Sequence, residues 1–269
     1  MTQEISNRSY HDPNDSGLWK LVISISSREI MALMKHVEDK ELKPRMMFRV
    51  PLEGEESTIL RRIESAVYDN PRIMDDYSTE IIITTPKTVW VPAELLEDEE
   101  SEASYLTEIY PAEDEDIFSN ANEEEGCIAT FLPGLLSFLN RTLPGCRIYS
   151  HIFLLNREFN GSHQDMSRIY VSIRDGEADL LAYRKGELLS ASTHSWEAVA
   201  DIAYYIFLLA DAYSIDHEKM EVFISGTQEN KKALETQMKE IISHVYLLKE
   251  PSGFRELDVP LAVAYSLER

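Results

Sequence analysis

The sequence has no basic residue between Thr88 and Asn140, and this absence dominates its charge. The segment holds 14 acidic residues and therefore supplies 14 of the 22 net negative charges of the chain. A chain this acidic repels the phosphate backbone of nucleic acids, and it repels anionic membrane surfaces for the same reason. We therefore expect no nucleic acid partner and no anionic membrane partner.

Long apolar runs and secretory features are also absent. Residues 1–17 have neither an apolar core nor a cleavage pattern, so they do not predict a signal peptide. The longest apolar run, Ile202–Ala210, is far shorter than the roughly 20 residues that cross a bilayer. Only two cysteines occur, Cys127 and Cys146, and their spacing predicts reduced thiols rather than metal ligands. These features predict a cytoplasmic protein without direct membrane insertion.

Common catalytic motifs are missing as well. The sequence contains no Walker loop, no GxGxxG after a strand, no GxSxG and no HExxH. Its seven histidines are scattered without ligand spacing, so no metal site is predicted. His194-Ser195 is better interpreted as the start of a helix than as a catalytic pair. No catalytic residue is therefore predicted.

What the sequence does contain is one order of elements, present twice. Each half predicts three strands, a helix, a strand and a further helix, the first three strands forming an antiparallel meander. The polar stretch "NREFNGSHQD" between the halves predicts a linker. We therefore divide the chain into an N-terminal arm (1–17), a first α/β subdomain (18–158) with an acidic insert (94–125), and a second α/β subdomain (165–269).

The clearest helix of the second half is predicted over residues 195–213, with Ser195 as its N-cap. From Ile202 onward this helix is apolar nearly all round, which predicts that it lies between two layers rather than on the surface. Ile202, Ile206 and Leu209 are expected to be fully buried.

The acidic insert 94–125 allows two interpretations. It can be a solvated helix face with a mobile loop, or it can be a docking surface for a protein with a basic surface. In both cases we expect it to be exposed and, in part, poorly ordered.

Each half begins with a similar apolar strand, "VISIS" (Val22–Ser26) in the first and "YVSIR" (Tyr170–Arg174) in the second. With this order of elements, the chain resembles the actin-like ATPase superfamily, which includes sugar kinases and heat-shock chaperones. It looks closest to an uncharacterised bacterial family of that fold. It is also similar to pilus-assembly and type II secretion proteins that use the fold as a cytoplasmic scaffold. The resemblance implies two ribonuclease-H-like subdomains with mixed sheets and a cleft between them.

In working ATPases of that superfamily, both entry strands end in Asp-x-Gly. The aspartates organise Mg²⁺ and the attacking water, and the glycines bring backbone N–H groups close to phosphate oxygens. Carried onto this sequence, the first pair falls on Ser24 and Ser26, and the second falls on Ser172 and Arg174. Both carboxylates are absent, although Arg174 could pair with a phosphate. Asp175-Gly176, directly after the second strand, predicts a hairpin bend.

A third superfamily signature is a Gly-Gly turn that packs against adenine. Its counterpart is "VFISGTQENKKAL", with Gly226 alone. The same residues also fit a helix start at a strand–helix turn, with Ser225 to Gln228 as a capping box.

These observations favour a non-catalytic scaffold or assembly protein that binds a protein partner. The alternative is a nucleotide-binding protein or ATPase that uses the cleft, with carboxylates such as Asp179, Asp201 or Glu221 replacing the missing pair. A hydroxyl brings no charge to a hard cation, and phosphoryl transfer depends on charge compensation. We therefore expect a degenerate ATPase without a cofactor, in which Mg²⁺-ATP binds weakly if at all.

Overall fold

The structure is a computed structural model that describes residues 17–39, 42–54, 56–96, 99–110, 115–160, 166–251, 253–254, 257 and 259–268. Within these residues the first half forms β1 (Trp19–Ile25), β2 (Glu29–His36), β3 (Arg45–Pro51), α1 (Glu56–Tyr68), β4 (Ser78–Ile83), β5 (Thr88–Pro92), α2 (Glu99–Thr107), β6 (Asp116–Ala121), β7 (Glu125–Phe131), α3 (Leu135–Thr142), β8 (Arg147–Ser150) and α4 (His151–Phe159). The second half forms β9 (Ser167–Arg174), β10 (Glu177–Arg184), β11 (Glu187–Ser195), α5 (Val199–Ala212), β12 (Glu221–Ser225), α6 (Gln228–Met238), β13 (His244–Leu247) and α7 (Leu261–Glu268).

Two five-stranded mixed sheets have the same order of strands. The first sheet runs β3-β2-β1-β4-β8 and the second runs β11-β10-β9-β12-β13. In both, the first three strands along the chain pair antiparallel and the last two join in parallel. The predicted α/β class, with two mixed sheets that each begin as a meander, is confirmed.

Successive side chains of the central strands β1 and β9 point to opposite faces of their sheets, so the core is divided into three layers. Leu21, Ile23 and Ile25 of β1 face the cluster under α1 and α3, whereas Val22 faces the other way. Side chains alternate in the same way along β9, and Tyr170 faces the same layer as Val22. Because both faces of these strands are covered, their sequences are almost continuously apolar.

The middle layer contains α4 and α7, which lie between the two sheets. α7 contacts α4 and the first sheet. There Ser266 Oγ donates to Glu80 at 2.5 Å, and Lys20 Nζ donates to the Ser266 carbonyl at 2.6 Å. The last helix of the described chain is therefore bonded to the strand that opens the first sheet.

The boundaries drawn from the sequence remain predictions. Of the predicted arm 1–17, only Gly17 lies within the described residues. In the predicted linker, residues up to Phe159 belong to α4, and 161–165 lie outside the described residues. The four residues that follow Cys146 form β8, but the apolar residues after them belong to α4 rather than to a strand.

Helix α5 differs from its prediction in both its start and its surroundings. Ser195 ends β11, and the carboxylate of Asp201 caps the helix by accepting from Glu197 N and Ala198 N. Ile202 and Ile206 are buried as predicted, but Leu209 is only partly buried. The helix is not enclosed, since one of its faces lies in solvent. The helices enclosed between two sheets are α4 and α7.

The acidic insert is more ordered than predicted. Residues 116–121 form β6, which pairs antiparallel with β7 in a three-stranded sheet of order β5-β7-β6. Asp116 caps α3 by accepting from Gly134 N and Leu136 N, and Glu115 binds Lys87 at 2.5 Å. Residues 97, 98 and 111–114 of the insert lie outside the described residues.

Candidate functional site

A cleft of about 770 Å³ opens between the two sheets. It is lined by the turn between β1 and β2, the equivalent turn between β9 and β10, and the turn from β12 into α6. The five residues singled out from the sequence all line this cleft: Ser24, Ser26, Ser172, Arg174 and Gly226. Residues that are up to 202 positions apart in the chain are thus brought to one place by the repeated sheet order.

The serines differ in what they do. Ser24 and Ser172 are both buried at equivalent positions of β1 and β9. Ser26 instead holds the first hairpin turn, because its Oγ accepts from Arg28 N at 3.2 Å and from Glu29 N at 3.1 Å. Ser24 and Ser172 therefore line the cleft with hydroxyls, and Ser26 has a local structural role.

Arg174 is held by carboxylates of its own subdomain. Its Nε and Nη2 donate to Asp179 at 3.0 and 2.6 Å, and its Nη1 donates to Glu177 at 2.7 Å. Burial opposes the charge of Arg174, but Asp179 and Glu177 together outweigh it and raise the guanidinium pKa. Every guanidinium nitrogen thus already has a carboxylate partner, which leaves Arg174 poorly placed to bind a phosphate.

Asp179 is the centre of this cluster, and it connects the two halves of the chain. Besides Arg174, it accepts from Thr193 Oγ1 at 2.8 Å and contacts His151 Nε2 at 2.9 Å. Burial raises the pKa of Asp179, but the charges and hydrogen bonds of Arg174 and His151 together outweigh burial and hold the pKa well below its usual range. His151 begins α4 directly after the first sheet, so a buried charge of the second sheet binds a residue of the first half.

An ion pair joins the two hairpin turns across the mouth of the cleft. Arg28 Nη1 donates to Asp175 Oδ2 at 2.7 Å, and both side chains are largely exposed. Asp175-Gly176 forms the predicted hairpin bend, since Arg174 and Glu177 pair directly across it. One signal that could have found this contact was missed: the two equivalent turns carry residues of opposite charge.

Gly226 has a packing role in the turn from β12 into α6. Its φ of +136° is disfavoured for other residues, and a Cβ there would lie 2.8 Å from the carbonyl oxygen of Ile173. The helix start is where the sequence predicted it, but Thr227 rather than Ser225 is the N-cap, with Oγ1 accepting from Asn230 N at 3.4 Å. Gly226 therefore lets the turn approach β9 closely.

The donor set of the cleft does not fit a Mg²⁺-nucleotide. Four of the five carboxylates that line the cleft each bind a cationic side chain: Glu29 with Arg49, Asp175 with Arg28, Glu177 with Arg174 and Glu250 with Lys231. The fifth, Glu53, is exposed. Hydroxyls stand at the two strand positions where a hard cation would need carboxylate oxygens. Among the described residues, no group of three or more His, Cys, Asp or Glu side chains is placed to hold a metal ion.

The three carboxylates considered as replacements are engaged elsewhere. Asp179 is buried against Arg174, Asp201 caps α5, and Glu221 binds Arg168 at 2.7 Å.

In the part of the chain that the structure describes, no helix has both the length and the apolar character needed to cross a membrane.

Two sheets of identical order with a cleft between them define an actin-like ATPase fold. The chain belongs to the DUF3822 family of proteins of unknown function, whose sequence profile matches residues 9–245. No curated protein matches the chain. The actin-like fold inferred from the sequence is confirmed by comparison with solved structures.

Three solved structures illustrate the similarity. A protein of unknown function with an actin-like ATPase fold from Bacteroides thetaiotaomicron is 19% identical over 96% of this chain and 99% of its own, with a TM-score of 0.80. The PilM-PilN type IV pilus biogenesis complex matches at 10% identity over 92% and 97%, with a TM-score of 0.52. The cytoplasmic domain of EpsL, an inner membrane component of the type II secretion system of Vibrio cholerae, matches at 13% identity over 93% and 95%, with a TM-score of 0.46.

Proposed function

We propose that this chain is a non-catalytic scaffold or assembly protein of the actin-like fold class that binds a protein partner. The observation that carries the proposal is the chemistry of the cleft. Its buried strand positions hold Ser24 and Ser172, and the carboxylates paired there with arginine or lysine are not available to coordinate Mg²⁺. Phosphoryl transfer needs a metal and positioned charges, which these residues do not supply.

The PilM-PilN complex of type IV pilus biogenesis supports the choice of a protein as partner. That structure, by its name, is a complex of proteins in an assembly process, and one of its chains has a similar fold. Fold alone does not define function, so the analogy supports a class of partner and the experiments below test it.

We expect Mg²⁺-ATP neither to stabilise the protein nor to be hydrolysed above background. A ligand present at 100 times its Kd stabilises a protein by about 2.7 kcal/mol, which would raise the melting temperature by about 5 °C or more at this size. Melting curves with and without millimolar Mg²⁺-ATP should therefore coincide, and phosphate release should equal that of a blank.

The control for this experiment is Gln228→Trp, which places a bulky side chain in the cleft at an exposed position. It avoids Gly226, where a side chain would damage the fold itself. A rise in melting temperature that disappears in Gln228→Trp would locate a nucleotide in the cleft. The alternative function, a nucleotide-binding protein, would then replace the scaffold.

The partner is proposed to have a basic surface that docks on the acidic insert. Several of its carboxylates are used internally, but five acidic side chains of the insert are exposed: Glu94, Glu100, Glu108, Glu123 and Glu124. These side chains lie on one contiguous segment that has no basic residue to pair with them locally. Long-range attraction of a basic protein is the expected consequence.

Neutralising exposed charges of the insert should weaken partner binding without affecting stability. In a pull-down, the E100Q/E108Q/E123Q/E124Q variant should retain less of the partner than the parent chain. Raising the salt concentration should likewise weaken binding of the partner by the parent chain, because exposed charges are screened beyond about 8 Å. The matched control, E38Q/E187Q/E229Q/E240Q, removes the same charge at exposed sites elsewhere. Equal retention by both variants would argue against docking on the insert.

A further inference from the structure

Helix α5 presents apolar side chains on a face that nothing in the described chain covers. Ile202, Ile206 and Ala210 are buried against the second sheet. On the opposite side Ala200, Tyr204, Leu208 and Ala212 follow one another every four residues and are all exposed, so they form one line along the helix. Tyr204 is 61% exposed and Leu208 is 49% exposed. We call this line the outer face of α5.

The neighbouring helix shows that the fold does not require such a face. α6 packs beside α5 and buries Lys231, Leu234 and Met238. Its outward positions are polar or small, as expected of a helix that covers a sheet: Lys232, Ala233, Thr236 and Gln237. The apolar outer face therefore distinguishes α5 from α6, and an exposed apolar patch with a polar border indicates an interaction site.

The border of the outer face is acidic. Between Glu197 and Asp216 the sequence has four acidic residues and no lysine or arginine. In the described contacts, lysine and arginine side chains reach only its C-terminal end, where Arg184 donates to the Tyr213 carbonyl and Lys219 binds Asp216. His217 contacts Asp211 there, and His194 stacks on Tyr205 in the middle of the helix. Glu197 and Asp201 at the N-terminal end bind no basic side chain in the described contacts, and their carboxylates repel an anionic occupant.

We propose that the outer face of α5 binds an amphipathic helix of a partner protein, with an apolar stripe that covers Tyr204 and Leu208 and with lysines or arginines beside the stripe. A helix laid in this way buries apolar side chains at intervals of three and four residues. A second copy docking through the same face would bring acidic borders together, and an anionic membrane would be repelled. The inference goes beyond the proposed scaffold role, because it holds whether or not the cleft binds a nucleotide.

The test uses the full chain and a labelled synthetic peptide of about 18 residues, or five helical turns, with leucines every three and four residues and lysines beside them. Fluorescence anisotropy should detect binding to the parent chain. The Y204S/L208S variant should bind about tenfold more weakly or worse, since exposed aromatic and leucine anchors dominate such contacts. Ile241→Ser, which alters a side chain that is also 61% exposed but lies outside α5, should bind like the parent.

One further peptide and a stability measurement complete the test. A peptide with glutamates in place of the lysines should bind about tenfold more weakly or worse, because the border is acidic. Melting curves of Y204S/L208S, and of the milder Leu208→Gln, should match that of the parent, because these side chains support no core. A fall of several degrees in either variant would show that the outer face is structural, and the inference would be abandoned.

Other outcomes would also overturn the proposal. Equal affinity of Y204S/L208S and the parent for the lysine peptide would place binding elsewhere. Binding to vesicles of phosphatidylcholine and phosphatidylglycerol that Y204S/L208S abolishes would identify the face as a membrane contact. A concentration-dependent dimer of the parent that Y204S/L208S dissociates would make the face an interface between two copies of this chain.

Discussion

Replacing Asp179 with asparagine should lower the free energy of unfolding by about 3–5 kcal/mol, because it removes the charge that balances a buried Arg174. The asparagine keeps the shape of the side chain, so a change in packing would not explain the loss. Arg174 keeps its ion pair with Glu177 but loses the Asp179 carboxylate, and His151 loses the same carboxylate. Equilibrium unfolding in urea measures this difference.

Two matched substitutions show whether burial is the cause. Glu177→Gln removes a more exposed partner of the same arginine and should cost less than Asp179→Asn. Asp175→Asn breaks the pair with Arg28, whose two side chains are 54% and 92% exposed, and should change stability by about 1 kcal/mol at most. If Asp179→Asn proved as mild as Asp175→Asn, the buried cluster would not stabilise the junction between the two halves.

The same carboxyl makes stability depend on acid. The pKa of Asp179 in the folded chain lies below the value of about 3.9 that the unfolded chain has, so the unfolded chain binds the proton first. The stabilisation is therefore complete well above pH 4 and is lost as the pH falls toward the folded pKa. Urea midpoints measured between pH 7 and pH 3 should fall less steeply for Asp179→Asn than for the parent.

Gly226→Ala should also destabilise the fold strongly, by about 3 kcal/mol or more, because two costs combine. The residue has a φ of +136°, and its new Cβ would lie 2.8 Å from the carbonyl oxygen of Ile173. That oxygen belongs to the backbone of the central strand β9, so it cannot move without shifting the second sheet. Thermal melting and urea unfolding both report the loss.

Substitutions at two other glycines separate the effect of backbone strain from that of the collision of the new Cβ. Gly145→Ala imposes a φ of +81° with no atom near the new Cβ, so only backbone strain of about 1 kcal/mol applies. Gly17→Ala has neither a positive φ nor a close neighbour and should be nearly neutral. Gly226→Ala behaving like Gly145→Ala would mean that the turn does not need its close approach to β9. If Gly226→Ala destabilises the fold as expected, a ligand assay with Gly226 variants reports folding rather than binding.

The sequence correctly predicted strands that are buried in the same way along their whole length. β1 and β9 are buried on both faces, and their unbroken apolar sequences indicate this directly. The run after Cys146 is also apolar, but an apolar run by itself does not distinguish a buried strand from a buried helix. The chain forms four residues of strand there and then α4.

Contacts between distant residues could not be predicted in the same way. Arg28 and Asp175 are 147 positions apart, and only the opposite charges of their equivalent turns indicate that they could meet. In β6 only Ile117, Phe118 and the terminal Ala121 are apolar, and the acidic residues around them suggested a loop. The exposed face of α5 could not be predicted either. Composition shows that a helix is apolar but does not show which of its faces another layer covers.

The place of α7 has a consequence for how the protein is made. Lys20 opens the first sheet and bonds to Ser266, 246 positions later, although β1 leaves the ribosome long before α7 does. Until then the face of β1 that carries Val22 lacks its helical cover, and Glu80 lacks the hydroxyl that binds it. The N-terminal half therefore cannot complete its core until α7 has been synthesised, and a contact of such long sequence separation is expected to form slowly.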